Sequence, residues 1–130
     1  MQLHDLLEDY LADIEQTVEL LPAYVERYQE EILTSTRANL RLRLRFVSGH
    51  LLEINEALGV MQDQLIWFGY RYHFQDQNNC LVFRYDDTPH FPNLSTFPHH
   101  KHWIDEVLES FKPILTEVLY EALRLSESVG

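Results

Sequence analysis

Asn39-Leu40-Arg41-Leu42-Arg43-Leu44-Arg45-Phe46 alternates apolar and polar residues without a break. A period of two sends successive side chains to opposite faces of an extended chain. The stretch therefore predicts a strand with one buried face and one arginine-bearing face. Ser48-Gly49 marks a turn, and His50 to Ala57 returns as a second strand. A three-residue loop at 48–50 would pair Leu44 with Ile54, Phe46 with Leu52 and Arg45 with Glu53. A two-residue loop would set Leu44 against Glu53 and bury a charge, so the longer, bulged turn is expected.

A second hairpin follows. Ile66, Phe68, Tyr70, Tyr72 and Phe74 share one face, and Trp67, Gly69, Arg71 and His73 the other. Asp76-Gln77-Asn78-Asn79 has turn composition, and Leu81, Phe83 and Tyr85 alternate with Val82, Arg84 and Asp86 on the return. A four-residue loop pairs Phe74 with Leu81, Tyr72 with Phe83 and Tyr70 with Tyr85 on the apolar side. On the polar side it sets His73 against Val82 and Arg71 against Arg84. On that side Trp67 would either stack on a base or pack beneath the terminal helix.

The ends of the chain read as helix. Leu3, Leu6, Leu7, Tyr10, Leu11, Ile14, Val18 and Leu21 recur at three- and four-residue spacing, and Pro22 stops or redirects the run. Residues 23–33 fit helix or strand. Strand is preferred, because a hairpin at Thr34–Ala38 would place Glu31 opposite Arg41. Residues 87–102 read as an ordered, proline-punctuated loop anchored by Phe91, Leu94 and Phe97. Residues 103–125 read as helical, with Pro113 opening a second segment. The expected fold is a single α+β domain spanning 1–130. A single antiparallel sheet of about four to five strands is packed on one face by the N- and C-terminal helices.

Composition narrows the class. A length of 130 residues with 45% hydrophobic content suits one globular core. A lone cysteine, Cys80, excludes an internal disulfide framework and fits a reducing compartment. No apolar run reaches membrane-spanning length, and Asp5, Glu8 and Asp9 stand where a signal peptide would carry positive charge. No membrane partner is expected, and the location is expected to be cytoplasmic. The formal charge of −11 argues against nucleic acid only if the signs are mixed. They are not: most acids lie before Ile32 and after Trp103, whereas Arg41, Arg43, Arg45, Arg71 and Arg84 lie between.

Two groups of residues carry chemistry. Guanidinium groups grip phosphates bidentately, so the arginine face reads as an anion-binding surface. The alternative is a solvated face neutralised by Glu53, Glu31 and Asp86; five arginines, two of them expected to pair, favour the anion-binding surface. The second group is His90, His99, His100 and His102, close together in a chain with seven histidines. Imidazole titrates near neutrality and serves as acid or base. It also binds zinc, but no His-Glu-x-x-His spacing is present, and neither a metal nor another cofactor is expected.

Three blocks carry a family resemblance. They are Tyr70-x-Tyr72-His73-x-Gln75-Asp76, then Leu81-x-Phe83-Arg84-Tyr85-Asp86-x-x-Pro89-His90, then Thr96-Phe97-Pro98-His99-His100-Lys101-His102. Together they resemble the TumE family of toxin components, over about residues 38–125. The order of His73 and the tyrosines departs from the typical pattern, and Asp87-Thr88 stands where Asn-Ala is usual. The resemblance implies the toxin of a toxin–antitoxin pair, with a cognate antitoxin as partner. RNA as target follows by analogy with other small toxins of this layout.

The expected activity is that of a metal-independent endoribonuclease. His99, His100 or His102 would take the ribose 2′-hydroxyl proton. A second imidazole or Lys101 would protonate the leaving oxygen, and Arg71, Arg84, Arg43 and Arg45 would hold phosphate. His90, Asp86, His73 and Tyr85 are further candidates. The alternatives are a non-catalytic RNA- or protein-binding module and a small histidine-rich metal-binding protein. A homodimer is left open.

Overall fold

A computed structural model describes residues 2–128. The chain runs α1 (Asp5–Leu20), β1 (Ala23–Thr34), β2 (Arg37–Phe46), β3 (Leu51–Met61), β4 (Gln64–Gln75), β5 (Leu81–Asp86), β6 (His100–Trp103), β7 (Glu106–Glu109) and α2 (Leu115–Glu127). The strands form one sheet in sequence order, each pair antiparallel. Each neighbour pair is joined directly, so the chain makes no crossover. The α+β layout with a helix at each end matches the expectation, but the sheet has seven strands rather than four or five.

The two faces of β2 part as the alternation requires. Ala38, Leu40, Leu42, Leu44 and Phe46 are buried, whereas the intervening polar residues face outward. The buried row joins Leu52, Ile54 and Leu58 of β3, Tyr70, Tyr72 and Phe74 of β4, and Phe83 and Tyr85 of β5. Leu7, Leu11, Ile14 and Val18 of α1 and Leu115, Val118, Leu119 and Ala122 of α2 close this core from one side. α1 starts where the His4 ring accepts the Leu6 amide at 3.1 Å, a histidine in the role of an N-cap side chain. No described helix is long and apolar enough to cross a membrane.

Residues 23–33 are a strand, because β1 gains a full ladder against β2. Its register sets Gln29, not Glu31, against Arg41. Glu31 instead accepts the Asn39 amide at 2.8 Å.

Both central hairpins slip by two residues from the expected register. Leu44 pairs with Leu52 and Arg43 with Glu53, because the turn occupies the three residues 47–49, one place earlier than expected. That loop closes through Phe46 N–H to the His50 carbonyl, with Gly49 in the left-handed region at φ 93°. In the next hairpin Asp76 Oδ1 accepts the amides of Asn78 and Cys80, and the ladder resumes past an irregularity beside Gln75. Phe74 then pairs with Phe83, Tyr72 with Tyr85, His73 with Arg84, and Arg71 with Asp86. The expected Arg71/Arg84 like-charge pair does not form.

A bulge at Phe68 corrects another expectation. Ala57 pairs with Gly69 but Leu58 with Trp67, so one residue of β4 is extra and the faces exchange there. Trp67 turns inward, edge-on to Tyr10 at 5.4 Å, rather than outward to stack on a base. Phe68 turns outward, with the Arg37 guanidinium 4.0 Å from its ring centre.

The largest correction lies after Asp87. Residues 100–109 are a hairpin, not the end of a loop and the start of a helix. β6 pairs with β5, and β7 covers the edge so formed. The spacing of Ile104, Val107, Leu108 and Phe111 fits a helical stripe, but an open β5 edge offers ladder hydrogen bonds that outweigh a weak local preference.

Two glycines give opposite expectations. A Cβ on Gly59 would lie 2.6 Å from the Thr36 carbonyl oxygen and 2.8 Å from Arg37 Cδ. That oxygen already accepts the Val60 amide and cannot retreat freely. A Cβ on Gly69 would meet nothing within 4 Å. Gly59→Ala is expected to destabilise the protein by about 1–3 kcal/mol. Gly69→Ala should be neutral or gain up to about 1 kcal/mol from lost chain entropy. Urea unfolding of both variants is the check, and equal midpoints would contradict this close approach.

Candidate functional site

Parity along β5 and β6 positions the site. Arg84 and Asp86 lie two apart on the outer face of β5. In the β5–β6 register Asp86 faces His100 and Arg84 faces His102. Across β4 the same two rows continue to Arg71 and His73. Three neighbouring strands thus bring one arginine–aspartate–histidine row beside a histidine–arginine–histidine row. This juxtaposition follows from pairing alone.

The side chains close around a cavity of about 290 Å³ lined by Arg71, Arg84, Asp86, Thr88, His90 and His102. Asp86 is nearly buried. Its Oδ2 accepts Arg84 Nε at 3.1 Å, and its Oδ1 accepts the Thr88 amide at 3.0 Å. His100 is fully buried, with Nε2 2.9 Å from Asp86 Oδ1, and His102 Nε2 lies 3.9 Å from Oδ2. Phe91 packs edge-on against both rings, at 4.9 Å from His100 and 5.9 Å from His102, and holds them in place. Among the described residues Arg71 has no side-chain hydrogen-bond or ion-pair partner.

Burial holds the His102 imidazole below the ordinary histidine range, and the positive charge of Arg84 adds to that. His73 is lowered for the same leading reason, burial. Its Nε2 lies 3.0 Å from Gln75 Oε1, whereas its Nδ1 is buried without a partner. The neutral ring at His102 is thereby available near pH 7 as a base or a ligand.

Other candidates lie elsewhere. Lys101, one residue from each of two site histidines, points to the helix side because strand neighbours alternate. Its Nζ donates to Glu121 at 3.0 Å, beside the Tyr85 hydroxyl, which donates to the same carboxylate at 2.8 Å. His99 stacks on Tyr70 and is within 2.9 Å of its hydroxyl, also away from the cavity. Arg43 donates to Glu26 at 2.8 Å and to Glu53, and Arg45 donates to Glu26 at 3.1 Å. These two guanidinium groups lower the Glu26 pKa and are themselves engaged. Sequence reading missed Thr88 and Phe91 as parts of the site. Thr88 follows Asp86 closely enough to have been considered, but nothing local marks Phe91 as a clamp on two imidazoles.

No curated protein and no solved structure matches the chain. A family model described as Toxin TumE matches residues 14–127. That span takes in the whole sheet, every residue of the cavity and all of α2. Because the match extends over most of the chain and includes the blocks from which the cavity is built, the protein belongs to the TumE family of toxins.

Proposed function

We propose that this chain is the toxin of a toxin–antitoxin pair, neutralised by a cognate antitoxin, and that it cuts RNA in the cavity beside Asp86. The observation that carries this reading is the meeting of an unpartnered guanidinium, Arg71, with Arg84, His90 and His102 around one opening of about 290 Å³. A phosphodiester seated between Arg71 and Arg84 would find both charges already in place. The ribose 2′-oxygen attacks phosphorus and loses its proton. The bond to the 5′-oxygen breaks and that oxygen gains a proton, leaving a 2′,3′-cyclic phosphate and a 5′-hydroxyl.

Two groups must face each other across the phosphate for this displacement. His90, exposed at the mouth, is one of them. The inner wall, Asp86 with His100 and His102, is the other. Of the three histidines considered as the base, only His102 lines the cavity.

Purified protein mixed with single-stranded RNA at low salt tests the reading. Cyclic-phosphate ends are the expected product. His90→Asn should retain RNA affinity within a few-fold but cut about 100-fold more slowly or worse, within the general acid–base range. A wild-type protein that binds RNA in a salt-sensitive way and never cuts it would replace this reading with a non-catalytic binding module.

A further inference from the structure

His100 presents a problem that its neighbours do not solve. Its Nδ1 lies 3.1 Å from the Pro98 carbonyl oxygen. A carbonyl only accepts, so Nδ1 carries the proton and a neutral ring has its lone pair on Nε2. That Nε2 is buried, lies 2.9 Å from a carboxylate oxygen, and still makes no hydrogen bond. A proton on Nε2 would point off the line to Asp86 Oδ1. Without a positive charge between them, the two electron pairs repel in a site shut off from water. An orphaned buried nitrogen of this kind costs about 1–3 kcal/mol.

A cation removes the conflict. The donor atoms of Asp86, His100 and His102 all lie within 4.8 Å of one another. His100 Nε2 stands 2.9 Å from Asp86 Oδ1 and His102 Nε2 stands 3.9 Å from Oδ2, so each imidazole is close to the ~3.3 Å expected between tetrahedral ligands bonded at about 2.0–2.1 Å, though to different oxygens of the one carboxylate. The outer contacts have the form that metal sites use. A ligating imidazole donates its other N–H to a backbone carbonyl, as His100 does to Pro98. The carboxylate is held by further donors, here Arg84 and Thr88.

We propose that Asp86, His100 and His102 bind one divalent transition-metal ion of the zinc class, with an open coordination position facing the cavity. Two imidazole nitrogens and one carboxylate oxygen select such an ion over magnesium or calcium, which take all-oxygen shells. Three protein ligands are the number that leaves a place for water or substrate. The open side faces Arg71, Arg84 and His90, where a phosphate oxygen would arrive. No ligand spacing announces the site in the sequence, because the carboxylate and the two imidazoles come from different strands.

The ion site rests on side-chain geometry alone. Its part in cutting RNA, where the ion would polarise the phosphoryl oxygen and acidify the attacking hydroxyl, rests on the function proposed above. The test uses the whole protein, stripped with EDTA, dialysed, and titrated with cobalt(II) and then zinc(II). One cobalt per chain is expected, with the intense visible absorption of a four-coordinate ion, displaced by zinc. Zinc should also raise the melting temperature. Asp86→Asn and His102→Ala should each weaken cobalt binding at least 100-fold while circular dichroism shows a folded protein. His102→Ala is the safer of the two, since its ring is only partly buried.

Absence of stoichiometric binding to the wild type would overturn the site, as would binding left intact in His102→Ala. RNA cut at full rate by metal-free protein would remove the ion while leaving the function standing. Tight binding at these residues with no RNA cleavage would do the reverse.

Discussion

Glu56→Leu is expected to destabilise the protein by roughly 3–6 kcal/mol, enough to unfold many domains of this size. Glu56 sits on the apolar face of β3 and is 3% exposed. Its Oε1 accepts the Tyr10 hydroxyl at 2.6 Å, and its Oε2 accepts Trp67 Nε1 at 3.0 Å and the Tyr72 hydroxyl. One carboxylate therefore ties α1 to β4 through the sheet's inner surface. Burial and the Glu56 charge push both tyrosine pKa values far above their ordinary range, so both remain donors at any pH the protein tolerates.

Leucine would fill the space but leave the three donors facing hydrocarbon, each at about 1–3 kcal/mol when fully unsatisfied. Glu56→Gln keeps one acceptor and should lose only about 1–3 kcal/mol. Combining Glu56→Leu with Tyr10→Phe and Tyr72→Phe should recover part of the loss, since donors and acceptor then disappear together. Urea midpoints of the series are the measurement. A Glu56→Leu protein as stable as wild type would show that these bonds do not organise the core.

Removal of both cavity arginines is expected to lower RNA affinity by roughly 10²- to 10⁴-fold, because each charge-assisted hydrogen bond to phosphate contributes about 1.5–3 kcal/mol. Growth inhibition in cells lacking antitoxin should fall with it. Arg71→Ala is the cleaner single variant, since no described side chain depends on Arg71. Arg84→Ala also frees Asp86 Oδ2 of the Nε contact at 3.1 Å. The slope of log affinity against log salt should become shallower by about 0.7 for each arginine lost from a single-stranded complex. Arg43→Ala is the comparison, because its guanidinium is already paired with Glu26 and Glu53. If the folded Arg71→Ala/Arg84→Ala protein binds RNA and arrests growth like wild type, the cavity is not where RNA is held.

Local order in the sequence carried the faces of the sheet. Leu40 to Phe46 and Tyr70 to Phe74 alternate strictly, so which residues are buried followed from a period of two. The positions of α1 and of the helix after Pro113 followed from a period near 3.6. Arg71 and Arg84 were legible as members of one outward face, and the histidine-rich block was legible as the densest concentration of titratable rings. Register was not legible. A slip of two residues leaves every side chain on its proper face, so hydrophobic pattern cannot separate Arg71 opposite Arg84 from Arg71 opposite Asp86. The turns at 47–49 and 76–80 made that choice through their own hydrogen bonds.

The Phe68 bulge was invisible for a related reason. One inserted residue reverses the parity that a strand reading assumes, and it moved Trp67 from the outer face to the core. By itself the sequence determined a sheet with an arginine face, helices at both ends and a cluster of histidines near the last strands, because those features depend on neighbours in the chain. Only the tertiary structure decided that His100 and His102 stand beside Asp86 while Lys101 turns away. That outcome required residues 87–99 to fold back so that β6 could pair with the open edge of β5, and the strength of a long-range ladder is not written in the local pattern of either partner.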